Sequence, residues 1–243
     1  MDFLINIFNA VLYQPLFNAL VFLYDYLPGR DFGVAVILLT VLIRLVLYPS
    51  MVKSLKSQRA MAELQPKIKK IQEDFKNDKE RQAKETMALY QKEKINPFGG
   101  CLPLLVQLPI LIALYRVFWK GFQTEELNNL YSFVPRPEQI DPNFLGGLIN
   151  LAVPSLVLAF LAGAGQFFQT WYQNKLNPQA SASKGAADQF SGIMQKQMLY
   201  FFPVFTVFIL WKLPAAIGLY WITTSLFSIL QQYLVFKKKN VKP

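Results

Sequence analysis

Histidine is absent from the 243 residues, and cysteine occurs once, as Cys101. An internal disulfide, a His/Cys zinc site and a histidine-dependent nucleophile triad are thereby excluded. Charge is scarce too: 16% of the residues are Asp, Glu, Lys or Arg, against 53% hydrophobic. Five long apolar runs can be drawn, at residues 32–51, 101–119, 148–172, 197–211 and 214–236, and none contains Asp or Glu. Paired-carboxylate proteolysis inside a membrane therefore has no residues to use, and a proton relay lacks its acids. Such runs approach the roughly 20 residues that cross about 30 Å of hydrocarbon as a helix. They place the chain in the all-α membrane class.

The net charge of +10 would point to nucleic acid if it formed one solvated patch. Instead it is shared among the segments between the runs. About 19 of the 25 Lys and Arg lie in residues 53–96, 173–197 and 237–243, while the opposite side holds only Arg30, Lys120, Arg136 and Lys212. Acidic residues divide almost evenly, so the bias belongs to Lys and Arg alone, as the positive-inside rule requires. This predicts an N-terminus outside, a cytoplasmic C-terminus and no direct nucleic-acid function.

The expected organisation is a five-transmembrane-helix core with two additions. Residues 1–30 are apolar, lack a basic leader region, are interrupted by Pro15 and carry Asn6, Asn9 and Asn18 near helical spacing. They predict an amphipathic helix on the outer interface, with a sixth span as the alternative, and not a cleaved signal. The first span covers 31–52. Residues 53–96 are strongly charged, with apolar Leu55, Met61, Leu64, Ile68, Ile71 and Phe75 three or four apart, and predict a cytoplasmic helical hairpin broken near Asn77-Asp78. The second span covers 97–119. Residues 120–147, with Pro135, Pro137 and Pro142, predict an irregular outer loop. A third span at 148–172, a small polar cytoplasmic linker at 173–196 containing "NPQASASKGAAD", fourth and fifth spans at 197–236 and a basic tail at 237–243 complete the chain.

Arg44 lies near the middle of the first run, in "VAVILLTVLIRLVLYPS". A central arginine costs about 2.5–3.5 kcal/mol on insertion scales and normally faces a bundle interior or a water-filled cavity. With no acid in any run, its charge calls for water, hence a hydrated cavity. Thr40, Arg44 and Tyr48 share a helix face, as do Gln166, Gln169 and Gln173, and Tyr220, Thr224, Ser228 and Gln231 form a third stripe beside Trp221. Gln107 sits between Pro103 and Pro109. Lone glutamines and hydroxyls of this kind serve equally well as interhelical glue. Arg116, near the outer end of the second run, can snorkel to the surface. Lys196 and Lys212 bracket a fourth run of about 15 residues, roughly 22 Å of helix, which is short for a bilayer.

Three segments carry a family resemblance. "NPFGGCLPLLVQLPILIALY" (residues 96–115) resembles the entry to the second conserved span of YidC-type insertases of the Oxa/Alb/YidC superfamily, and "ILLTVLIRLVLYP" (residues 37–49) resembles the first with its groove arginine. "LPAAIGLYW" (residues 213–221) is similar to the start of the last. The matches occur in family order over nearly the whole chain. The resemblance implies a five-helix core around a groove open to the cytoplasm and to lipid, in which Arg44 receives a client segment and Gln107 and Trp221 line the wall. Thr40, Gln169, Tyr220 and Thr224 join that expected client-binding set on helical spacing alone. No cofactor, metal or catalytic residue is implied.

The implied partners are nascent membrane proteins and the lipid bilayer, with a Sec-type translocon and the ribosome left open, since the tail "KKKNVKP" is shorter than ribosome-binding tails. The implied place is the bacterial inner membrane, and the form is a short one, with no large folded domain ahead of the first span. Two other classes stay open on residues alone: a small transporter or channel, which would also place an arginine in a cavity, and an assembly partner of a translocon.

Overall fold

The computed structural model describes residues 2–96, 102–121, 123–176 and 196–237. The 177–188 linker, Cys101 and the tail beyond Lys237 lie outside the described residues. The fold is mostly helical. Helix α1 (Asp2–Phe8) passes through a π turn (Asn9–Tyr13) into α2 (Gln14–Tyr26). Helix α3 (Phe32–Asp74) and α4 (Lys79–Lys92) follow, then α5 (Leu102–Lys120). A two-stranded ladder, β1 (Asn143–Phe144) with β2 (Ile149–Asn150), leads to α6 (Leu156–Leu176). A second π turn (Gln197–Phe201) opens α7 (Phe202–Leu210), and α8 (Ala215–Lys237) closes the described chain.

Both π turns have the same local cause. Each ends two residues before a proline, Pro15 or Pro203. A proline has no N–H for the i−4 carbonyl and its ring crowds that carbonyl. Widening the preceding turn relieves the crowding, and the N–H groups of Gln14 and Phe202 reach back five residues to Asn9 and Gln197.

Helix α3 does not stop where the first apolar run stops. It continues unbroken through Pro49 and Pro66 to Asp74, so one rod of 43 residues carries Arg44 and half of the charged block. The chain turns back at residues 75–78, where Asp78 caps α4 by accepting from the Arg81 N–H at 2.9 Å. Helix α4 runs antiparallel to α3: the Gln82 amide donates to the Gln72 carbonyl at 2.9 Å, Lys67 pairs with Glu93 at 2.5 Å, and Ser57 donates to the Asn96 carbonyl at 3.3 Å.

At the other end of the molecule, the 120–147 segment folds over the helix ends. Asp31 caps α3 through the Val34 N–H at 3.0 Å and also accepts from the Leu145 N–H at 2.8 Å. The ladder turn uses left-handed backbone at Leu145, Gly146 and Gly147, two of them glycines for which that conformation carries no Cβ penalty. The third helix begins at Leu156 and not at residue 148. Ile149 and Asn150 are held in the ladder opposite Phe144 and Asn143, and Ser155, following Pro154, caps the helix by accepting from the Leu158 N–H at 3.4 Å. Apolarity alone did not distinguish a strand from a helix there.

The apolar core is gathered at this loop end. Phe17, Leu20, Val21 and Tyr24 of α2 pack with Phe32, Ala35 and Val36 of α3, Leu114, Val117 and Phe118 of α5, Leu151, and Ala216 and Ile217 of α8. Toward the hairpin end, the buried residues of α8 turn polar, at Ser225, Ser228, Gln231 and Gln232. The outward faces are apolar in the opposite sense. Leu105, Leu108, Ile112, Tyr115 and Trp119 form an exposed stripe along α5, and Val204, Phe205, Phe208 and Trp211 stand exposed in and beside α7. Continuous exposed apolar faces of this extent fit a lipid surround. Two described helical stretches, Phe3–Tyr26 and Phe32–Asp74, are long and apolar enough to cross a membrane, and Gln197–Leu210 is a shorter apolar helix.

A Cβ at Gly33 would come within 2.1 Å of the Phe144 ring. Gly33→Ala is expected to destabilise by about 1–3 kcal/mol, as overpacking does. Thermal unfolding in detergent measures it, and Gly33→Ala combined with Phe144→Ala should cost less than the two single changes added together. The Glu93 carboxyl is held below the usual carboxylate range, first by its hydrogen bond from Lys67 and then by the Lys67 charge. Its contribution is therefore present above the ordinary glutamate pKa and lost as the pH falls through the depressed value. Amide-exchange protection at the C-terminal turn of α4 should weaken on acidification in the parent chain and stay flat in Glu93→Gln.

Candidate functional site

Arg44 sits where the apolar core of the loop end gives way to the polar seam of the hairpin end. Its residue exposure is 7%, so burial is deep but a small opening remains. None of the ion pairs among the described residues includes it. The titratable group that feels its charge is the Tyr220 phenol on α8. Tyr220 is 2% exposed and accepts a hydrogen bond from the Gln107 amide of α5. Three helices thus bring Arg44, Tyr220 and Gln107 to one place, an arginine beside a phenol and an amide with no carboxylate at ion-pair distance among the described residues. An arginine in that condition offers donors and charge to a visiting anion.

The other residues named from the sequence are arranged differently. Thr40 is buried one turn before Arg44, but its hydroxyl donates to the Val36 carbonyl at 2.6 Å and is satisfied within its own helix. Thr224 lies one turn after Tyr220 with its hydroxyl beside the Tyr220 phenol, while Ser225 Oγ and Gln232 Oε1 are buried without a hydrogen-bond partner among the described residues. Gln231 donates to the Tyr48 carbonyl at 3.3 Å, tying α8 to α3 below Arg44. Buried polar atoms of this kind cost about 1–3 kcal/mol each unless water meets them.

Trp221, adjacent to Tyr220 in sequence, makes its hydrogen bond on a different side. Its indole N–H donates to Gln166 Oε1 at 3.1 Å, and the same oxygen accepts from Thr206 Oγ1 at 2.6 Å. Gln166 is therefore a node joining α6, α7 and α8. Sequence spacing grouped it with Gln169, yet Gln166 holds these bonds while Gln169 stands half-buried one turn on. The signal available in the sequence was an amide in one run with a donor in each of two others. The node sits where Gly163 lets α7 come close, since a Cβ there would meet the Val207 side chain at 2.4 Å. Arg116 was also underestimated: it donates to Asn9 Oδ1 at 2.8 Å and lies against the Phe8 and Tyr13 rings.

Comparison with known proteins gives a consistent picture. The sequence model of the family described as "60Kd inner membrane protein" matches residues 22–242. A protein of Fusobacterium nucleatum named "Membrane protein insertase YidC" is 36% identical over 208 residues, which span 86% of this chain and 87% of that protein. Proteins of the same name from Actinobacillus pleuropneumoniae serotype 3 and Cellvibrio japonicus are 34% and 35% identical over 94% and 93% of this chain, but this chain spans only 37% and 36% of their length. A solved structure described as "Active YidC insertase crystal structure with the first transmembrane domain resolved" superposes with a TM-score of 0.59 at 27% identity, over 91% of this chain and 46% of that one.

Gln166→Leu should strand the Trp221 N–H and the Thr206 hydroxyl together, at a cost of about 1–3 kcal/mol each if no water replaces the amide. A fall in the unfolding midpoint together with a shift in tryptophan emission, the latter absent when Trp221 is already replaced by Phe, checks that the node is formed.

Proposed function

The chain belongs to the 60Kd inner membrane protein family, and from that membership we propose that it is a membrane protein insertase whose client site is Arg44 with its neighbours Tyr220 and Gln107. The carrying observation is the buried Arg44, without a carboxylate partner among the described residues, at the boundary between a dry core and a polar seam. Thr40, Thr224, Gln169 and Trp221 complete the proposed wall, with Thr224 beside the Tyr220 phenol and Trp221 held by Gln166.

In the proposed orientation the loop end faces outward and the hairpin end lies in the cytoplasm of a bacterial cell, with five apolar segments crossing the inner membrane. The Lys and Arg bias supports this. Helices α1 and α2 lie on the outer surface in this arrangement. Asn9 to Tyr24 spans about 22 Å of helix, yet Asn9, Tyr13, Asn18 and Tyr24 all bond to the loop end, at Arg116, Glu126, Asn129, Tyr131 and Asp141. A helix plunging alongside α5 would leave those residues far apart in depth.

A client's short polar tail enters the seam from the cytoplasm, and its carboxylate meets the Arg44 guanidinium. Coulomb attraction there is stronger than in water because the effective dielectric is lower. The tail then has less hydrocarbon to cross, since the Gln197–Leu210 helix beside it is about 21 Å long against about 30 Å of bilayer core. The apolar client segment leaves between the exposed faces of the helices into lipid, where burial supplies roughly 25 cal/mol per Å². No bond is made or broken, so the activity is transfer between phases and not enzymatic conversion. A Sec-type translocon and the ribosome are the proposed further partners.

Purified protein in liposomes should insert a single-spanning client with an acidic tail. Arg44→Ala should lower that yield about tenfold, the equivalent of about 1.4 kcal/mol, and Arg44→Lys should restore part of it. Equal insertion by Arg44→Ala across clients with acidic tails would remove the arginine from the mechanism.

A further inference from the structure

The loop end carries a second arginine that the insertion mechanism does not use. Arg116 is half-buried near the C-terminus of α5 and is fixed on three sides, by Asn9 Oδ1 at 2.8 Å, by the Tyr13 ring at 4.7 Å and by the Phe8 ring at 5.8 Å. All three contacts are neutral. No carboxylate pairs with it among the described residues. Glu126, which shares Tyr13 with this cluster, accepts from the Tyr13 hydroxyl at 2.6 Å and the Asn129 amide at 3.0 Å and lies 3.9 Å from Lys120. Among the described residues Arg116 therefore has no direct carboxylate partner and, with one of its five N–H groups used by Asn9, unspent donors.

Its surroundings select what such a charge would bind. Lys120 follows Arg116 by one turn, so the two cations share a face of α5. The neighbouring face is the exposed apolar stripe of Leu105, Leu108, Ile112, Tyr115 and Trp119, with Tyr115 stacked on Trp119 at 5.7 Å. Phe3, Leu4, Ile7 and Val11 of the N-terminal helical segment are exposed as well. A phosphate with acyl chains attached matches this arrangement. The headgroup meets a fixed guanidinium and an ammonium, and the chains run down the α5 stripe beneath an aromatic pair of the kind that sits at membrane interfaces.

We propose that Arg116 and Lys120, with Asn9 as the residue that orients the guanidinium, form a binding site for an anionic phospholipid headgroup of the outer leaflet. The proposal rests on the orientation put forward under "Proposed function", because it needs residue 116 at the outer headgroup level. Binding there links lipid composition to the position of α1 and the π turn after it, which Phe8, Asn9 and Tyr13 join to Arg116 on α5.

Native mass spectrometry of the full chain, released from nanodiscs of equal phosphatidylglycerol and phosphatidylcholine, reads the outcome directly. The parent chain should retain phosphatidylglycerol in preference, and Arg116→Gln, which keeps a donor for Asn9, should retain about fivefold less, matching the roughly 1 kcal/mol that one Lys or Arg contributes at an anionic surface. Lys212→Gln, a change of the same charge at the same end, should leave retention intact. Equal retention of the two lipids, or no loss in Arg116→Gln, would overturn the site. Displacement of the lipid by soluble glycerol phosphate would overturn the lipid as ligand and make the site one for free anions. Impermeant thiol labelling of Ser132→Cys in a Cys101→Ser background tests the orientation separately. Labelling in cells whose outer layers admit the reagent but whose inner membrane is sealed keeps the insertase orientation even if the lipid site fails, whereas labelling only after permeabilisation removes both.

Discussion

One unpaired charge organises this molecule. A guanidinium placed in the interior of a bundle must find an anion, find water or not be there, because an isolated buried ion is far more costly than any packing contact can offset. Among the described residues Arg44 has no anion, and no apolar run offers one. The fold around it follows from that constraint. A dry core is assembled on one side, from α2, the first turns of α3, the last turns of α5 and the first turns of α8, and the packing becomes polar on the other. Had the dry packing extended the full length of the helices, the arginine would have had to pair or be replaced.

The loop end is what permits the asymmetry. The helix ends and the irregular segment there are closed by side chains that satisfy backbone groups, all but one bond across long sequence separations: Asp31 to Val34 and Leu145, Asn18 to Tyr131 and Asn129, Tyr24 to Asp141. In addition, the N–H groups of Ala215 and Ala216 reach the Val153 and Leu151 carbonyls. A region that excludes water must pair its own backbone, and these bonds do so without regular sheet. The hairpin end has the opposite economy, with exposed ion pairs and one long helix emerging into solvent.

Much of this was legible in the residues, and the parts that were not share a cause. The helical class and the apolar runs followed from composition, and the deep burial of Arg44 from the cost of a central charge in lipid. The turn between α3 and α4 fell beside the Asn77-Asp78 signal. What spacing could not supply was the direction of side chains across elements. Tyr220 and Trp221 are neighbours in the chain, yet one bonds to Gln107 on α5 and the other to Gln166 on α6. A stripe drawn on one helix gives a face but not the facing partner. For the same reason Ile149 read as the start of a helix while it pairs with Phe144, and Arg116 read as a free snorkelling cation while it is clamped by α1 and the turn that follows it.

The Gln166 node shows how a short helix is held in register against its neighbours. Helix α7 with its π turn covers only Gln197–Leu210, and its outward side is almost wholly apolar, so apolar contact alone would let it tilt or slide. Gly163 brings it against α6, and Thr206 fixes its register through Gln166, which also fixes Trp221 on α8. One amide oxygen thereby sets the relative position of three helices. In an apolar surround an alternative register would leave the Thr206 hydroxyl and the Trp221 N–H both unpaired, a penalty that grows as the dielectric falls. Polar groups on this side of α8 lock helices together, whereas one residue earlier the Tyr220 side belongs to Arg44. The two sets of contacts are separated by a single 100° step around one helix, so one element carries the Gln166 joint on one side and borders the buried Arg44 guanidinium on the other.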